Sequence, residues 1–454
     1  MDDPGATTSA DLVRRSEVVL SPDPRRVLAR LFLPGQEILP QGISRAEAII
    51  DRVIGLSDTD TLATLATVRT RFGERHRDIE ATFAAHAALV EHLLPPTATS
   101  TPERRQLIGA CFTQEYAIEA AALFNPSMVA HPDQSGLATG ELRFVMSARA
   151  LGEGHTSSIE FRTGVLAQHD SIRFEDGSPF LDQGRVTASA PGSYTVTYPA
   201  DTPISERVVF PTNPEESHGI EDARLTRFTE PDATVTYYAT YTAFDGAHVA
   251  PRLLRTTDFA TFVSTRLVGS GAEDKGMALF PRRVRDRYLM LSRWDRESIS
   301  VVSSSDAHVW RDPVTVYRPT LPWELIQLGN CGPPIETADG WLVLTHGVGP
   351  MRTYGISAIL LDLDDPTRLI GTLREPLLTP NEAERDGYVP NVAYSCGALI
   401  HHDTLVIPYG CSDSAIRFAF VDLPALLRRF AEPNDATDPP LLHARNTETT
   451  EYRR

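Results

Sequence analysis

The chain has 454 residues, of which 41% are hydrophobic and 23% charged, as in a folded globular protein with room for two or three domains or for one large repetitive fold with an appendage. Its formal net charge of −17 argues against nucleic acid or an anionic membrane as the main partner, because both bind basic surfaces. The N-terminus lacks the basic and apolar segments of a signal peptide, and no apolar run is long enough to span a bilayer, so we predict a cytoplasmic protein.

The four cysteines, Cys111, Cys331, Cys396 and Cys411, show neither metal-binding spacing nor a disulfide framework. Unpaired cysteines with apolar neighbours are typical of a reducing compartment. The histidines also lack the spacing of metal ligands. The sequence therefore predicts no metal site and no cofactor.

The first part of the chain is predicted to be helical. Residues 1–20 are polar and are expected to form a mobile tail, and residues 21–123 are expected to form an α-helical region. Capping-box spacing at Ser44 and at Ser100 predicts two helix starts, the second opening a helix that continues to Leu123. Apolar residues at three- and four-residue spacing predict helices over 61–72 and 79–94. These helices serve either as a packing module or as the interface of a homo-oligomer.

From Phe124 onward the sequence changes to short β-prone runs, and we predict a β domain over 124–431. The predicted strands cover 142–148, 158–168, 193–198, 207–210, 234–243, 252–256, 288–293, 298–303, 341–347, 354–362, 392–400 and 404–409. Since no long helices alternate with them, the architecture is a propeller, a solenoid or a pair of sandwiches, and a loose recurrence of similar strand pairs favours the propeller. A closing strand over 417–421, a helix over 423–430 and a disordered tail over 432–454 complete the prediction.

The densest cluster of charged residues is at 217–226, where Glu221, Asp222 and Arg224 precede a β-rich run. A charged cluster at the mouth of a strand is either a solvated turn or a site held by a rigid scaffold. Because neighbouring residues on a strand point to opposite faces, we expect Glu221 to support the turn and Asp222 to face the site.

Similar clusters recur at other strand ends. They include Asp274 and Lys275, Arg293, His346, Glu384 to Asp386, and Tyr409 to Asp413, with Gly152 to His155 upstream. Carboxylates with aromatic residues suit a carbohydrate, whereas Arg, Lys and His suit an anion. Singly, each fits a turn or a buried structural residue equally well.

An ordered set of short motifs resembles glycoside hydrolase family 130, which comprises β-mannoside phosphorylases and β-1,2-mannosidases. The motifs lie at 219–226, 237–243, 124–126, 275–281, 332–335, 340–342, 346–348, 390–392 and 409–413. The resemblance implies a five-bladed β-propeller over about 124–425, preceded here by an N-terminal α-helical region. Ala223 replaces a usual Pro and Thr345 a frequent Tyr, which makes the chain a divergent member.

The resemblance also implies site roles. Asp222 would be the catalytic acid, relaying its proton through a hydroxyl of the bound mannose while inorganic phosphate attacks with inversion. The expected phosphate ligands are Arg224, Lys275, His346, Arg162 and Arg293, and the expected mannose contacts are Asn125, Glu384, Asp413 and Tyr409. The partners are thus a mannose-containing oligosaccharide and phosphate as co-substrate.

Two alternatives stay open. An inverting β-mannosidase on the same scaffold would need a carboxylate base, for which Glu384 or Asp386 is the candidate. A non-catalytic propeller would bind a carbohydrate or a protein, but it has no need for Asp, Arg, Lys and His together at strand ends. The sequence favours a phosphorylase and leaves linkage and acceptor undefined.

Overall fold

The computed structural model describes residues 12–35, 37–40, 42–95, 101–168, 171–175, 177–189 and 192–431, and it is mainly β. The tail predicted at 432–454 and residues 1–11 lie outside the described residues. The predicted mobility of residues 13–20 is wrong, because they form a strand, β1 (Val13–Leu20). Its alternating exposed and half-buried residues pair with the last strand of the chain, which is 400 residues away in sequence and invisible to local patterns. Within the described ranges, no helix is both long and apolar enough to cross a membrane.

Among its described residues, the N-terminal region contains four α-helices and one two-stranded sheet. These are β2 (Val27–Leu31), α1 (Arg45–Ile54), α2 (Asp58–Phe72), α3 (Ile79–Leu89), α4 (Pro102–Cys111) and β3 (Thr113–Ala117). Ser44 caps α1 with the predicted capping box. The α4 cap is Thr101, whose hydroxyl accepts from the Arg104 amide, and Ser100 lies outside the described residues.

The last predicted helix is too long. It ends at Cys111, and the next residues pair with β2 as β3. Thr113 and Tyr116 have β-prone side chains, so strand pairing prevails there over the helical spacing of the apolar residues. Leu123, expected at the helix end, lies in the first strand of the β domain.

The β domain begins with two antiparallel sheets. The first contains β4 (Ala122–Ala130), β5 (Leu142–Leu151), β6 (Ser157–Ala167), β7 (Ser171–Phe174) and β10 (Val208–Val209). The second contains β8 (Arg185–Ala188), β9 (Ser193–Thr197), β11 (Ile220–Thr229), β12 (Val235–Phe244), β13 (Val249–Thr256) and β14 (Thr261–Arg266).

Three further sheets follow. The third contains β15 (Ala278–Leu279), β16 (Tyr288–Ser292), β17 (Ile299–Ser304) and β18 (Arg311–Tyr317). The fourth contains β19 (Gln327–Asn330), β20 (Ile335–Thr337), β21 (Gly340–Gly349), β22 (Thr353–Leu361) and β23 (Leu369–Thr372). The fifth contains β24 (Ala393–Tyr394), β25 (Leu399–His401), β26 (Thr404–Cys411), β27 (Ala415–Asp422) and β1, and α5 (Leu423–Ala431) follows it.

Each predicted β run overlaps an observed strand, although the run at 392–400 divides into β24 and β25. The predicted closing strand and the helix after it are confirmed as β27 and α5.

The core consists of apolar clusters between consecutive sheets. The first and second sheets share a cluster around Phe161 and Leu225, and the second and third share one around Phe228 and Met290. Further clusters join the third sheet to the fourth and the fourth to the fifth. One more, containing Met146 and Phe418 among others, joins the fifth sheet back to the first. Each sheet is therefore held by burial of apolar side chains on both of its faces.

Candidate active site

A polar cavity of about 180 Å³ lies where one end of all five sheets meets. It is lined by Asn125, Arg149, Glu221, Asp222, Arg224, Lys275, Gly276, Arg293, Gln327, His346, Arg352, Tyr354, Val392, Tyr394 and Asp413. Most of these residues lie in or beside the first strand of a sheet. The others lie near the turns that join β5 to β6, β16 to β17, β21 to β22 and β26 to β27. Rigid strands thus position most of the side chains, and turns position the others.

Two backbone irregularities form the centre of the cavity. In β11 the pairing register shifts between Glu221 and Arg224, and Asp222 has a φ of 55°. In β4 the register shifts between Phe124 and Ser127, and Asn125 has a φ of 50°. Non-glycine residues adopt this conformation at a cost, and such strain is found where structure serves function. The two bulges bring Asn125 Nδ2 to 2.7 Å from Asp222 Oδ1.

The β11 bulge also corrects the expectation for Glu221. Regular alternation would point Glu221 away from Asp222, but a bulge inserts an extra residue and changes the direction of the side chains. Both carboxylates therefore line the cavity. Glu221 Oε1 accepts from Arg149 Nη2 at 2.9 Å, and its other oxygen lies 3.5 Å from Lys275 Nζ.

Cations surround the buried Asp222 carboxylate. Its Oδ1 is 3.6 Å from Arg149 Nη1, and its Oδ2 is 3.9 Å from Arg224 Nη2. Burial raises the pKa of Asp222, but the charges of Arg149 and Arg224 and the Asn125 hydrogen bond outweigh it, so the net pKa is below its usual value. With these neighbours Asp222 is ionised at neutral pH.

The pKa of Asp413 is shifted in the opposite direction from that of Asp222. This residue lies in the turn between β26 and β27, at a φ of 47°, and also lines the cavity. Burial and the nearby Asp222 charge raise the pKa of Asp413 to about 6, although Arg149 and Arg352 act against this. Two carboxylates with pKa values pushed apart are a common arrangement in active sites.

Arg224 is fixed by three hydrogen bonds. Its guanidinium donates to the Cys331 carbonyl, to the Asp222 carbonyl and to the Tyr394 hydroxyl, each at 2.9 Å. These contacts reach across the cavity from the second sheet to the fourth and fifth, and they leave two of the five N–H donors of Arg224 for a ligand.

The opposite wall carries Arg293 and His346, with Arg293 Nη1 at 3.5 Å from His346 Nε2. When the Gln327 amide is oriented to pair both of its atoms, its oxygen accepts from Arg293 Nη1 at 2.6 Å. Burial lowers the pKa of His346 well below its usual value, and the charges of Arg293 and Arg224 act in the same direction, so the ring is neutral. Arg293 Nε and His346 Nδ1 are buried without a hydrogen-bond partner among the described residues, and they are suited to a ligand.

Of the predicted site residues, the structure brings seven into the cavity. They are Asp222, Arg224, Lys275, His346, Arg293, Asn125 and Asp413.

Arg162, predicted to bind phosphate, lies instead in a buried ion cluster. It contacts Glu119 at 2.7 Å and Glu160 at 2.8 Å, and Arg26 binds both carboxylates from the N-terminal region. Burial and the neighbouring Glu160 raise the pKa of Glu119 to about 8, whereas Arg162 and Arg26 keep the pKa of the buried Glu160 below its usual value, so Arg162 is the partner of a buried carboxylate. The sequence could not distinguish a structural Arg on a strand from a ligand-binding one.

Glu384 and Tyr409, predicted to contact mannose, do not line the cavity. Tyr409 donates to Glu384 at 2.6 Å, and Arg15 of β1 lies 3.3 Å from the same carboxylate. Glu384 thus joins β1 to β26 within the fifth sheet. Asp386, the other candidate base, is exposed and also lies outside the cavity.

Several cavity residues were missed at the level of sequence, namely Arg149, Gln327, Arg352, Tyr354 and Tyr394. Arg149 gave one usable signal, because it interrupts the otherwise apolar second half of the β5 run. The others are ordinary residues of strands and turns. Among the residues the structure describes, no group of three or more His, Cys, Asp or Glu side chains is placed to hold a metal ion.

Comparison with known proteins assigns the family. Residues 199–432 match the glycoside hydrolase family 130 model, described as beta-1,4-mannooligosaccharide phosphorylase. The 1,2-beta-oligomannan phosphorylase of Thermoanaerobacter sp. strain X514 is 32% identical over 214 residues, which cover 46% of this chain and 70% of that protein. The chain belongs to glycoside hydrolase family 130.

A further relative and a solved structure are also similar to the chain. The beta-1,4-mannooligosaccharide phosphorylase of Ruminococcus albus is 33% identical over 177 residues, covering 36% of this chain and 52% of that protein. The solved structure of beta-1,2-mannobiose phosphorylase from Listeria innocua, in complex with beta-1,2-mannobiose, is similar with a TM-score of 0.50 at 20% identity, covering 70% of this chain and 93% of that one. At this identity the structural similarity shows a shared fold.

Proposed function

We propose that this protein cleaves β-mannosides by inverting phosphorolysis and releases α-mannose 1-phosphate. The observation that carries the proposal is one cavity in which a buried carboxylate, Asp222, faces the cations Arg149, Arg224, Lys275 and Arg293. Relatives named as phosphorylases of β-1,2- and β-1,4-linked mannooligosaccharides support the same reaction.

Binding of phosphate uses the cations and the unpaired donors. Arg224 and Arg293 hold phosphate oxygens, with Lys275 at the half-exposed edge and His346 as a neutral donor or acceptor. Phosphate is already a nucleophilic anion, so alignment with the anomeric carbon is what the cavity must supply, and no strong base is needed.

Bond cleavage requires a proton for the leaving oxygen. A phosphate oxygen forms a bond to the anomeric carbon while the glycosidic C–O bond breaks on the opposite face, which inverts the configuration. The leaving oxygen takes a proton from a hydroxyl of the bound mannose, and that hydroxyl is resupplied by Asp222. Asn125 orients Asp222, and Asp413 accepts hydrogen bonds from the sugar.

With Arg149 and Arg224 beside it Asp222 is ionised, and it must gain a proton before it can act. An anion bound beside Arg224 offsets the positive charges that lower the pKa of Asp222. Binding of phosphate thus raises the pKa of Asp222 and favours its protonation. Proton transfer to the leaving group therefore depends on the bound co-substrate.

We also propose that the five sheets are the blades of a closed five-bladed propeller. The apolar clusters that join each sheet to the next, including the fifth to the first, support this arrangement. Pairing of β1 with β27 supports it as well, because a last blade completed by the N-terminal strand holds a ring closed. Assembly through the N-terminal helices and a cytoplasmic location stay predictions.

The reaction is tested by incubating the protein with β-1,2- and β-1,4-mannobiose, with and without phosphate. We expect mannose 1-phosphate only when phosphate is present, and Asp222→Asn should lower the rate by at least about 10²-fold because the proton source is lost. The matched control is Asp386→Asn, an exposed carboxylate outside the cavity, which should keep the wild-type rate.

Mannose released equally with and without phosphate would establish the mannosidase instead, even though both of its candidate bases lie outside the cavity. Binding without turnover of any mannoside would establish the non-catalytic alternative. Full activity of Asp222→Asn would refute the assignment of the acid.

A further inference from the structure

Several large apolar side chains that are exposed to solvent lie in segments that border the cavity. We define the apolar arc as Trp294, Leu325, Ile326, Met351 and Tyr388, whose exposed fractions range from 39% for Trp294 to 87% for Met351. Exposure of a large apolar side chain is unfavourable, and a cluster of them at a cavity mouth indicates a binding surface.

Three members of the apolar arc are sequence neighbours of cavity residues. Trp294 follows Arg293, Ile326 precedes Gln327, and Met351 precedes Arg352. Met351 and Arg352, with φ values of 59° and 55°, form the tight turn between β21 and β22, so the Met351 side chain is carried at the tip of a hairpin. The polar floor and the apolar rim are thus adjacent parts of one site.

Hydrogen bonds connect the segments that carry the members of the arc. Arg293 contacts Gln327, which brings the Trp294 turn beside the start of β19. The Ile326 amide donates to the Val348 carbonyl at 2.9 Å, near the turn that holds Met351.

The arc continues towards Tyr388. The Tyr354 amide, three residues after Met351, donates to the Asn391 carbonyl at 3.0 Å. The Tyr388 amide donates to Ser414 Oγ at 2.7 Å, beside Asp413, and its hydroxyl pairs with His155 Nδ1 at 3.0 Å. The arc therefore spans the third, fourth and fifth sheets on one side of the mouth.

From this geometry we propose that the protein acts on β-mannosides whose leaving group carries an apolar portion, such as an alkyl or aryl aglycone. This inference rests on the proposed function, because the mannose occupies the cavity and the leaving group extends over the rim. Leu, Ile and Met side chains offer no hydrogen bond to sugar hydroxyls, whereas they bury methylene groups well. A second copy of the chain seated on the arc would cover the entrance to the cavity, which argues against a subunit interface there.

The test measures binding of octyl and methyl β-D-mannoside by titration calorimetry, below the concentration at which octyl mannoside forms micelles. Wild-type protein should bind the octyl compound about tenfold more tightly, the effect of about two buried methylene groups. Met351→Ser and, on a separate segment, Leu325→Ser should lower the ratio to about threefold or less. The control Leu62→Ser removes an exposed leucine of α2 and should keep the tenfold ratio.

Equal affinity for the two compounds in wild type would overturn the inference, and so would an unchanged ratio in both rim variants. Light scattering after size exclusion tests whether a second copy of the chain binds the arc instead. A change of oligomeric state in Met351→Ser with an unchanged ratio would make the arc a subunit interface. Because the binding ratio needs no turnover, a tenfold ratio without phosphate-dependent cleavage would refute the proposed function alone.

Discussion

Binding of an anion in the cavity should raise the pKa of Asp222, so that its carboxylate gains a proton. Arg149 and Arg224, at 3.6 and 3.9 Å, hold the pKa of Asp222 below its usual value. A unit negative charge about 5 Å from the carboxylate costs about 3 kcal/mol at an effective dielectric constant near 20, which corresponds to a pKa about 2 higher. A divalent anion held by Arg224 and Lys275 has a larger effect, so a proton should enter the site as the anion binds.

Sulfate is the cleanest probe, because it does not titrate near neutral pH whereas phosphate does. Calorimetric titration with sulfate at about pH 6, in buffers of different ionisation enthalpy, counts the protons taken up. We expect about half to one proton for each sulfate bound by the wild-type protein, and much less for Asp222→Asn.

Asp413 is the competing site for this proton, because its pKa of about 6 lies within the range of the experiment. Asp413→Asn should keep most of the uptake if Asp222 receives the proton. Uptake that persists in Asp222→Asn and disappears in Asp413→Asn would refute the reasoning and make Asp413 the acid. Absence of uptake in the wild-type protein would refute the coupling itself.

Two further predictions concern residues outside the proton transfer. Arg162→Met should destabilise the fold by about 3–5 kcal/mol in urea unfolding, because Glu119 and Glu160 stay buried with one cation fewer, while the exposed Arg173→Met should cost less than about 1 kcal/mol. The folded variant should keep the wild-type KM for phosphate, and a raised KM would return Arg162 to the phosphate site. His346 has a folded pKa below its unfolded value, so its contribution to stability is complete above about pH 6.5 and is lost as the pH falls. Wild-type stability should therefore fall more steeply than that of His346→Gln between about pH 7 and pH 5, by up to about 1.4 kcal/mol for each pH unit, and equal slopes would contradict a neutral buried ring.

The sequence by itself determined the mainly β fold and most of its strands. Alternating and apolar runs between turn residues predict strands such as β12, β21 and β26, because local periodicity reports which face is buried. The charged cluster at 217–226, together with its companion motifs, also predicts Asp222 and Arg224 as site residues.

Only the tertiary structure decided the other questions, since they depend on contacts between distant residues. β1 is a strand because β27 lies beside it. Arg162 pairs with Glu119 and Glu160 because β6 packs against the N-terminal region. Glu221 faces the cavity because a bulge breaks the alternation that the sequence implies. The ionisation of Asp222 is likewise set by Arg149, a residue that no motif marked and that the first sheet brings to its side.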